Sequence, residues 1–144
     1  MHRMPKTLLF LLAAVLGHVA GGCAITVPEL AATIESKYGI HPNTEVARYV
    51  SQTGNQMVSA LGASEHPYTF IVLNSEDRIQ MSVPVNRANG GFTGERRVYV
   101  TSGLLRELDN GAQLRSALAL EIALQEAGHV RRTFNSFVRE QTFK

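Results

Sequence analysis

The chain predicts an α+β fold, a small antiparallel sheet packed on helices within a single domain. Three observations lead there. With 144 residues, 44% of them hydrophobic, there is enough chain and enough apolar surface for one real core. Helical spacing of apolar residues occupies both flanks, whereas β-rich runs are confined to the middle, between Tyr68 and Thr101. The order is therefore helices, a small sheet, then helices, which favours α+β over an alternating architecture.

The first 22 residues stand apart from that core. Arg3 and Lys6 make a basic start, Leu8 to Leu16 an apolar stretch too short to span a bilayer, and Ala20-Gly21-Gly22-Cys23 a small-residue cleavage region. This reads as an export signal over 1–22, leaving 23–144 as the domain. Cys23 follows the two glycines as in a bacterial lipoprotein box, although Ala20 takes a place that is usually Leu. Lipidation of Cys23 is the expectation, with a location on the periplasmic side of the cell envelope. Ordinary cleavage, giving a soluble periplasmic or secreted chain, and an uncleaved anchor are the alternatives.

In the remaining chain, Pro28 to Tyr38 predicts a short helix, with Leu30 and Ile34 on one face and Gly39 as its stop. Asn43 or Thr44 caps a longer helix carrying Val46, Val50, Met57, Val58 and Leu61, in which Gly54 permits a close approach and Gly62 ends the run. Tyr68 to Leu73 and Ile79 to Val85 read as strands, and Pro84 places the second at an edge. Asn89-Gly90-Gly91 marks a turn into a third strand, Arg97 to Thr101, antiparallel to the second. A short helix from Gly103 to Leu108, a break at Asp109-Asn110-Gly111, and a long helix from Ala112 to about Phe137 complete the chain.

Charge excludes some functions. Loss of Arg3 and Lys6 with the signal reduces the 14 basic residues to 12, against 12 acidic ones, so nothing argues for nucleic acid. Arg131, Arg132, Arg139 and Lys144 read as a solvated helix face. Cys23 is the single cysteine, so no intramolecular disulfide forms.

Residues Ala117 to Leu124 place one carboxylate, Glu121, inside an otherwise unbroken apolar run, where an ionised side chain is costly to bury without a partner. This run follows the block Val98-Tyr-Val-Thr-Ser-Gly-Leu-Leu105 and the helix entry Gln113-Leu114. With the helix ending Leu61-Gly62 and the strand Tyr68 to Asn74, the segment from Gly54 to Arg132 resembles peptidase family M-forty-eight, the group of HtpX and the CAAX prenyl proteases. The resemblance implies a zincin-like metallopeptidase core, zinc as the family's cofactor, and a His-Glu-x-x-His motif on the site helix. Aligned without gaps, Leu120 and Leu124 stand where the two zinc-binding histidines belong, and Glu121 stands for the catalytic glutamate. A register shifted by five residues pairs Gln125, Glu126 and His129 with the motif, keeping Glu126 as the catalytic glutamate and His129 as one metal ligand. Ile79 to Pro84 stands in for the family's Asn-Ala-Phe-Ala edge.

Two histidines four apart on a helix reach one zinc, and the glutamate between them polarises the bound water. Leucine has no lone pair to donate, and an amide oxygen is a poor donor beside imidazole. The family's third ligand is a glutamate on a later helix, while here Glu140 is the last acidic residue before Lys144. The expectation is a truncated core that binds no zinc, unless a partner chain supplies ligands. Bland readings stand beside these. Glu121 can turn outward or pair with Arg115 or Arg132, and His129 can be a surface histidine. His41 and His66 precede prolines in loops. Gly90 to Gly94 lacks the lysine of a P-loop and reads as a flexible hairpin. Ser102 reads as a cap.

Two function classes follow. One is a non-catalytic, lipid-anchored derivative that holds an extended or unfolded polypeptide, or an envelope protein partner, against its edge strand. The other is an active envelope metalloendopeptidase in protein quality control, with Glu121 or Glu126 as general base. A truncated gene product without a settled role is a third possibility.

Overall fold

The structure, a computed structural model, describes residues 27–86 and 92–128. The export segment with Cys23, the Asn89-Gly90-Gly91 turn, His129, Glu140 and the C-terminal basic cluster lie outside the described residues.

Helix α1 (Val27–Tyr38) ends at Gly39, whose φ of 71° is a conformation that glycine adopts without a Cβ penalty. Helix α2 (Thr44–Ala60) is capped by Asn43, whose side-chain oxygen accepts from the backbone N–H groups of Glu45 at 2.9 Å and Val46 at 3.2 Å. Strands β1 (Tyr68–Leu73), β2 (Gln80–Asn86) and β3 (Phe92–Thr101) follow, then the short helix α3 (Ser102–Glu107) and helix α4 (Gly111–Glu126).

The sheet order is β1-β3-β2. The predicted antiparallel pairing of β2 with β3 is present, from Gln80 opposite Val100 to Asn86 opposite Phe92. The sheet is nevertheless mixed rather than antiparallel, because β1 pairs parallel with β3, Tyr68 opposite Arg96 through Leu73 opposite Thr101. The physical reason is the connection Asn74–Ile79, which crosses the end of β3 and places β2 on its far side. That crossing is tied down by Thr101. Its hydroxyl oxygen accepts from the Ile79 N–H at 3.0 Å and from the Leu104 N–H at 3.2 Å, so it serves the crossing and caps α3 together. Thr101, not Ser102, is the cap; the Ser102 hydroxyl donates to the Ser75 carbonyl at 2.9 Å.

Strand β3 begins earlier than the predicted Arg97. Between the pairs Pro84–Arg96 and Asn86–Phe92, β2 advances two residues and β3 four, so β3 carries an irregularity in which Gly94 takes a φ of 79°. Phe92 and Gly94, read from sequence as hairpin, therefore belong to the strand.

Side-chain alternation divides the core into two layers. On one face Phe70, Val72, Val98 and Val100 meet Val50 and Val58 of α2 and Leu114, Leu118 and Ile122 of α4. On the other, Leu73, Val83 and Tyr99 meet Leu30 and Ile34 of α1. Gly54 makes the first layer possible, since a Cβ there would lie 2.5 Å from the Phe70 ring. Glu35 of α1 accepts from Arg97 Nη1 and from the Tyr99 hydroxyl, both at 2.8 Å, which fixes α1 to the sheet.

The last helix is shorter than predicted. It stops at Glu126, with Ala127 as its cap and Gly128 at a φ of 67°, so it does not continue as one helix to Phe137.

Candidate functional site

Helix α4 is positioned at its start by Asn110, whose side chain accepts from the N–H groups of Ala112 and Gln113. Leu114, Leu118, Glu121, Ile122 and Gln125 form its buried stripe. The spacing of three or four residues is that of a helix face laid on a sheet. The stripe is unusual in carrying two polar residues, Glu121 and Gln125.

Glu121 is 5% exposed. Burial raises its carboxyl above the ordinary glutamate value, and the neighbouring Ser82 and Gln80 of β2 oppose that rise. The Ser82 hydroxyl faces the carboxyl without closing a hydrogen bond of good geometry. The carboxyl therefore lies against the edge strand. It does not turn outward, and it forms no ion pair with Arg115; Arg132, the other expected partner, lies outside the described residues.

Leu120 lies on the opposite side of α4 and is 51% exposed. Leu124, one turn later, is half-buried. The two share a helix face directed away from Glu121's contacts with β2.

Glu126 has a different environment. Its carboxylate accepts from the Tyr68 hydroxyl at 2.7 Å and pairs with Arg96 Nη1, which also donates to the Tyr68 hydroxyl at 2.9 Å. This cluster fastens the end of α4 to the start of β1 and the middle of β3. Burial first, then the hydrogen bond to Glu126, pushes the Tyr68 phenol up to about 12, against the opposing pull of Arg96. Three buried polar atoms, Ser82 Oγ, Gln125 Nε2 and Arg96 Nε, make no hydrogen bond with another described residue.

Sequence reasoning missed Tyr68, Arg96, Gln80 and Ser82 as neighbours of the two glutamates. One signal was available. Consecutive Arg96 and Arg97 in a strand must point to opposite faces, so each needs its own acid. Glu126 and Glu35 supply them.

A cavity of about 400 Å³ lies elsewhere, between α2, α3 and α4, lined by Val46, Tyr49, Leu105, Leu108 and Leu114. Neither glutamate lines it.

The family model that matches this arrangement is that of Peptidase family M48, over residues 44–142. The chain belongs to Peptidase family M48. No curated protein matches the chain. The match to Peptidase family M48 begins at the first residue of α2 and runs through the sheet and α4. Helix α1 precedes it, yet buries Leu30 and Ile34 against the sheet.

Members of Peptidase family M48 are zinc metallopeptidases. The donor set of the described residues does not by itself fit that ion. Among the described residues no group of three or more His, Cys, Asp or Glu side chains could hold a metal, and Leu120 and Leu124, the ligand positions expected in the ungapped register, are aliphatic. His129, the remaining predicted ligand, and Cys23, the predicted lipidation site, lie outside the described residues.

Proposed function

We propose that the protein is an exported, lipid-anchored member of its family that has lost catalysis and binds extended polypeptide along β2. The observation that carries this reading is the placement of Glu121. It is the catalytic glutamate of the ungapped register, and it lies against the edge strand while Leu120 and Leu124 present hydrocarbon where imidazoles would face a metal. Glu126, the glutamate of the shifted register, is already held by Arg96 and Tyr68.

The two edges of the sheet support polypeptide binding at β2 in particular. At β1, the His41 N–H donates to the Val72 carbonyl at 2.8 Å and the Asn74 N–H to the Gly39 carbonyl at 2.9 Å, so the incoming chain covers that edge. At β2, no described strand lies outside Gln80–Val83. An extended peptide can add there by main-chain hydrogen bonds, with Pro84 limiting how far the added ladder runs. No helix among the described residues is long and apolar enough to cross a membrane, and the anchor in this reading is the lipid on Cys23.

Metal analysis of the purified protein, casein cleavage with and without chelator, and fluorescence anisotropy with a labelled unfolded casein probe test the proposal together. Binding without zinc and without cleavage is the expected result. Stoichiometric zinc with chelator-sensitive cleavage assigns the active endopeptidase instead.

A further inference from the structure

We infer that Glu121, flanked by Gln80 and Ser82, seats the basic side chain of an extended polypeptide added along β2, and that this carboxylate selects which segment the edge holds. The inference rests on the reading of β2 as a polypeptide-binding edge and adds what that edge prefers.

The first observation is which way β2 faces. Gln80 pairs with Val100 and Ser82 with Val98. Residues directly opposite in a ladder share one face of the sheet. Val98 and Val100 pack with Leu118 and Ile122 of α4, so Gln80 and Ser82 are turned towards α4 as well. Met81 and Val83 alternate to the other layer, against Leu30 and Ile34. A residue of an added strand that stands opposite Gln80 or Ser82 therefore projects its side chain to the α4 side, with its Cβ about 5 Å from theirs.

The second observation is what that side chain meets. Along α4, Glu121 and Gln125 are one turn apart and make a polar row beside the apolar row of Leu118 and Ile122. Glu121, Ser82 and Gln125 are all more than nine-tenths buried. Ser82 Oγ and Gln125 Nε2 make no hydrogen bond with another described residue. Gln80 is the partly exposed member, so the cluster opens to solvent at the start of β2.

The third is charge. Among the described residues, the side chains acting on the Glu121 carboxyl are Ser82 and Gln80, both neutral. Arg78, Arg96, Arg97 and Arg106 are each paired with another acid. A buried carboxylate without a cation is costly. An ammonium brings three donors, one each for a Glu121 oxygen, the Ser82 hydroxyl oxygen and the Gln80 amide oxygen. It offsets the charge and gives Ser82 a partner together. An acidic side chain finds donors at Ser82 and Gln125 but is repelled by Glu121, and an apolar one leaves the charge uncompensated.

The test uses the purified protein and a short fluorescein-labelled host peptide of alternating Thr and Ser whose central residue is Lys, norleucine or Glu, read by fluorescence anisotropy. The Lys peptide should bind at least about tenfold more tightly than the norleucine peptide, and the Glu peptide most weakly. Glu121→Gln should bring the Lys and norleucine peptides to within about twofold of each other while norleucine binding is retained. Gln80→Lys, which supplies an ammonium from the protein itself, should do the same. Glu107→Gln, which removes an acid at the end of α3, should leave the preference intact. Equal binding of the Lys and norleucine peptides, tighter binding of the Glu peptide, or a preference that survives Glu121→Gln overturns the inference and leaves the edge reading standing. A preference lost equally in Glu107→Gln assigns it to general charge attraction and overturns the inference as well. Failure of the parent protein to bind any of the peptides overturns the edge reading itself, and the inference with it.

Discussion

Replacing Glu121 with Gln should make the protein more stable near neutral pH, although under the proposed ungapped register it removes the glutamate at the catalytic position. The side chain is 5% exposed, Ser82 and Gln80 are its polar neighbours, and among the described residues no cation acts on it. Because burial raises its value in the folded state, the unfolded chain gives up this proton more readily than the folded one. The stabilising contribution is therefore complete below the unfolded value of 4.5 and is lost as pH rises through the higher folded value. An amide of the same shape has no charge to desolvate and keeps its reach to Ser82 and Gln80. A buried polar group with incomplete partners costs about 1–3 kcal/mol, which sets the expected gain of Glu121→Gln near neutral pH. Urea unfolding followed by circular dichroism across the acid-to-neutral range measures it. The two proteins should converge below the unfolded glutamate value and separate above it, with unchanged denaturant slopes. Equal stability near neutral pH, or a difference independent of pH, would refute the assignment of Glu121 as a carboxylate held at a cost.

Other outcomes follow from the same contacts. Gly54→Ala places a Cβ 2.5 Å from the buried Phe70 ring and should cost about 1–3 kcal/mol in urea unfolding, with partial recovery in the Gly54→Ala/Phe70→Leu pair. Gly103→Ala should cost more, at least about 3 kcal/mol, because the obstacle is the Glu76 carbonyl oxygen at 2.1 Å and backbone cannot rotate aside. Glu126→Gln should bring the Tyr68 phenol down from about 12, since a cause that raises it is lost while Arg96 remains; phenolate absorbance during alkaline titration reads this. Leu120→His with Leu124→His should create a zinc site measurable by calorimetry that the parent protein lacks, and failure of the pair to take up zinc counts against the ungapped register.

The helices were the legible part of this chain. Asn43, Gly39 and Gly62 act through backbone chemistry local to each helix end, and Gly54 was readable because a glycine within an apolar stripe implies a close neighbour. Strand pairing was less accessible. Alternation in Tyr68–Leu73 specifies a half-buried strand but carries nothing about which strand lies beside it, so the parallel β1–β3 ladder depended on a loop whose course Thr101 decides. The site was the hardest to read. Ala117 to Leu124 is apolar in every direction, so periodicity could not say which way Glu121 points, and the answer rests on the three-dimensional course of β2. The early end of α4 could have been read from Gly128, whose place after the helix matches that of Gly39 and Gly62. Arg96 was hidden because its partners, Tyr68 and Glu126, are separated from it by 28 and 30 residues.

The position of β3 between β1 and β2 has a consequence for how the molecule assembles. The two outer strands are synthesised first and never touch each other; each must wait for a middle member that emerges after both. No two-stranded precursor of β1 with β2 exists to be stabilised on the way, and the Asn74–Ile79 crossing finds its anchor at Thr101 only when the middle strand is complete. Under the proposed export, a chain that crosses a membrane before folding gains from such an arrangement, since its first half holds no sheet to unravel.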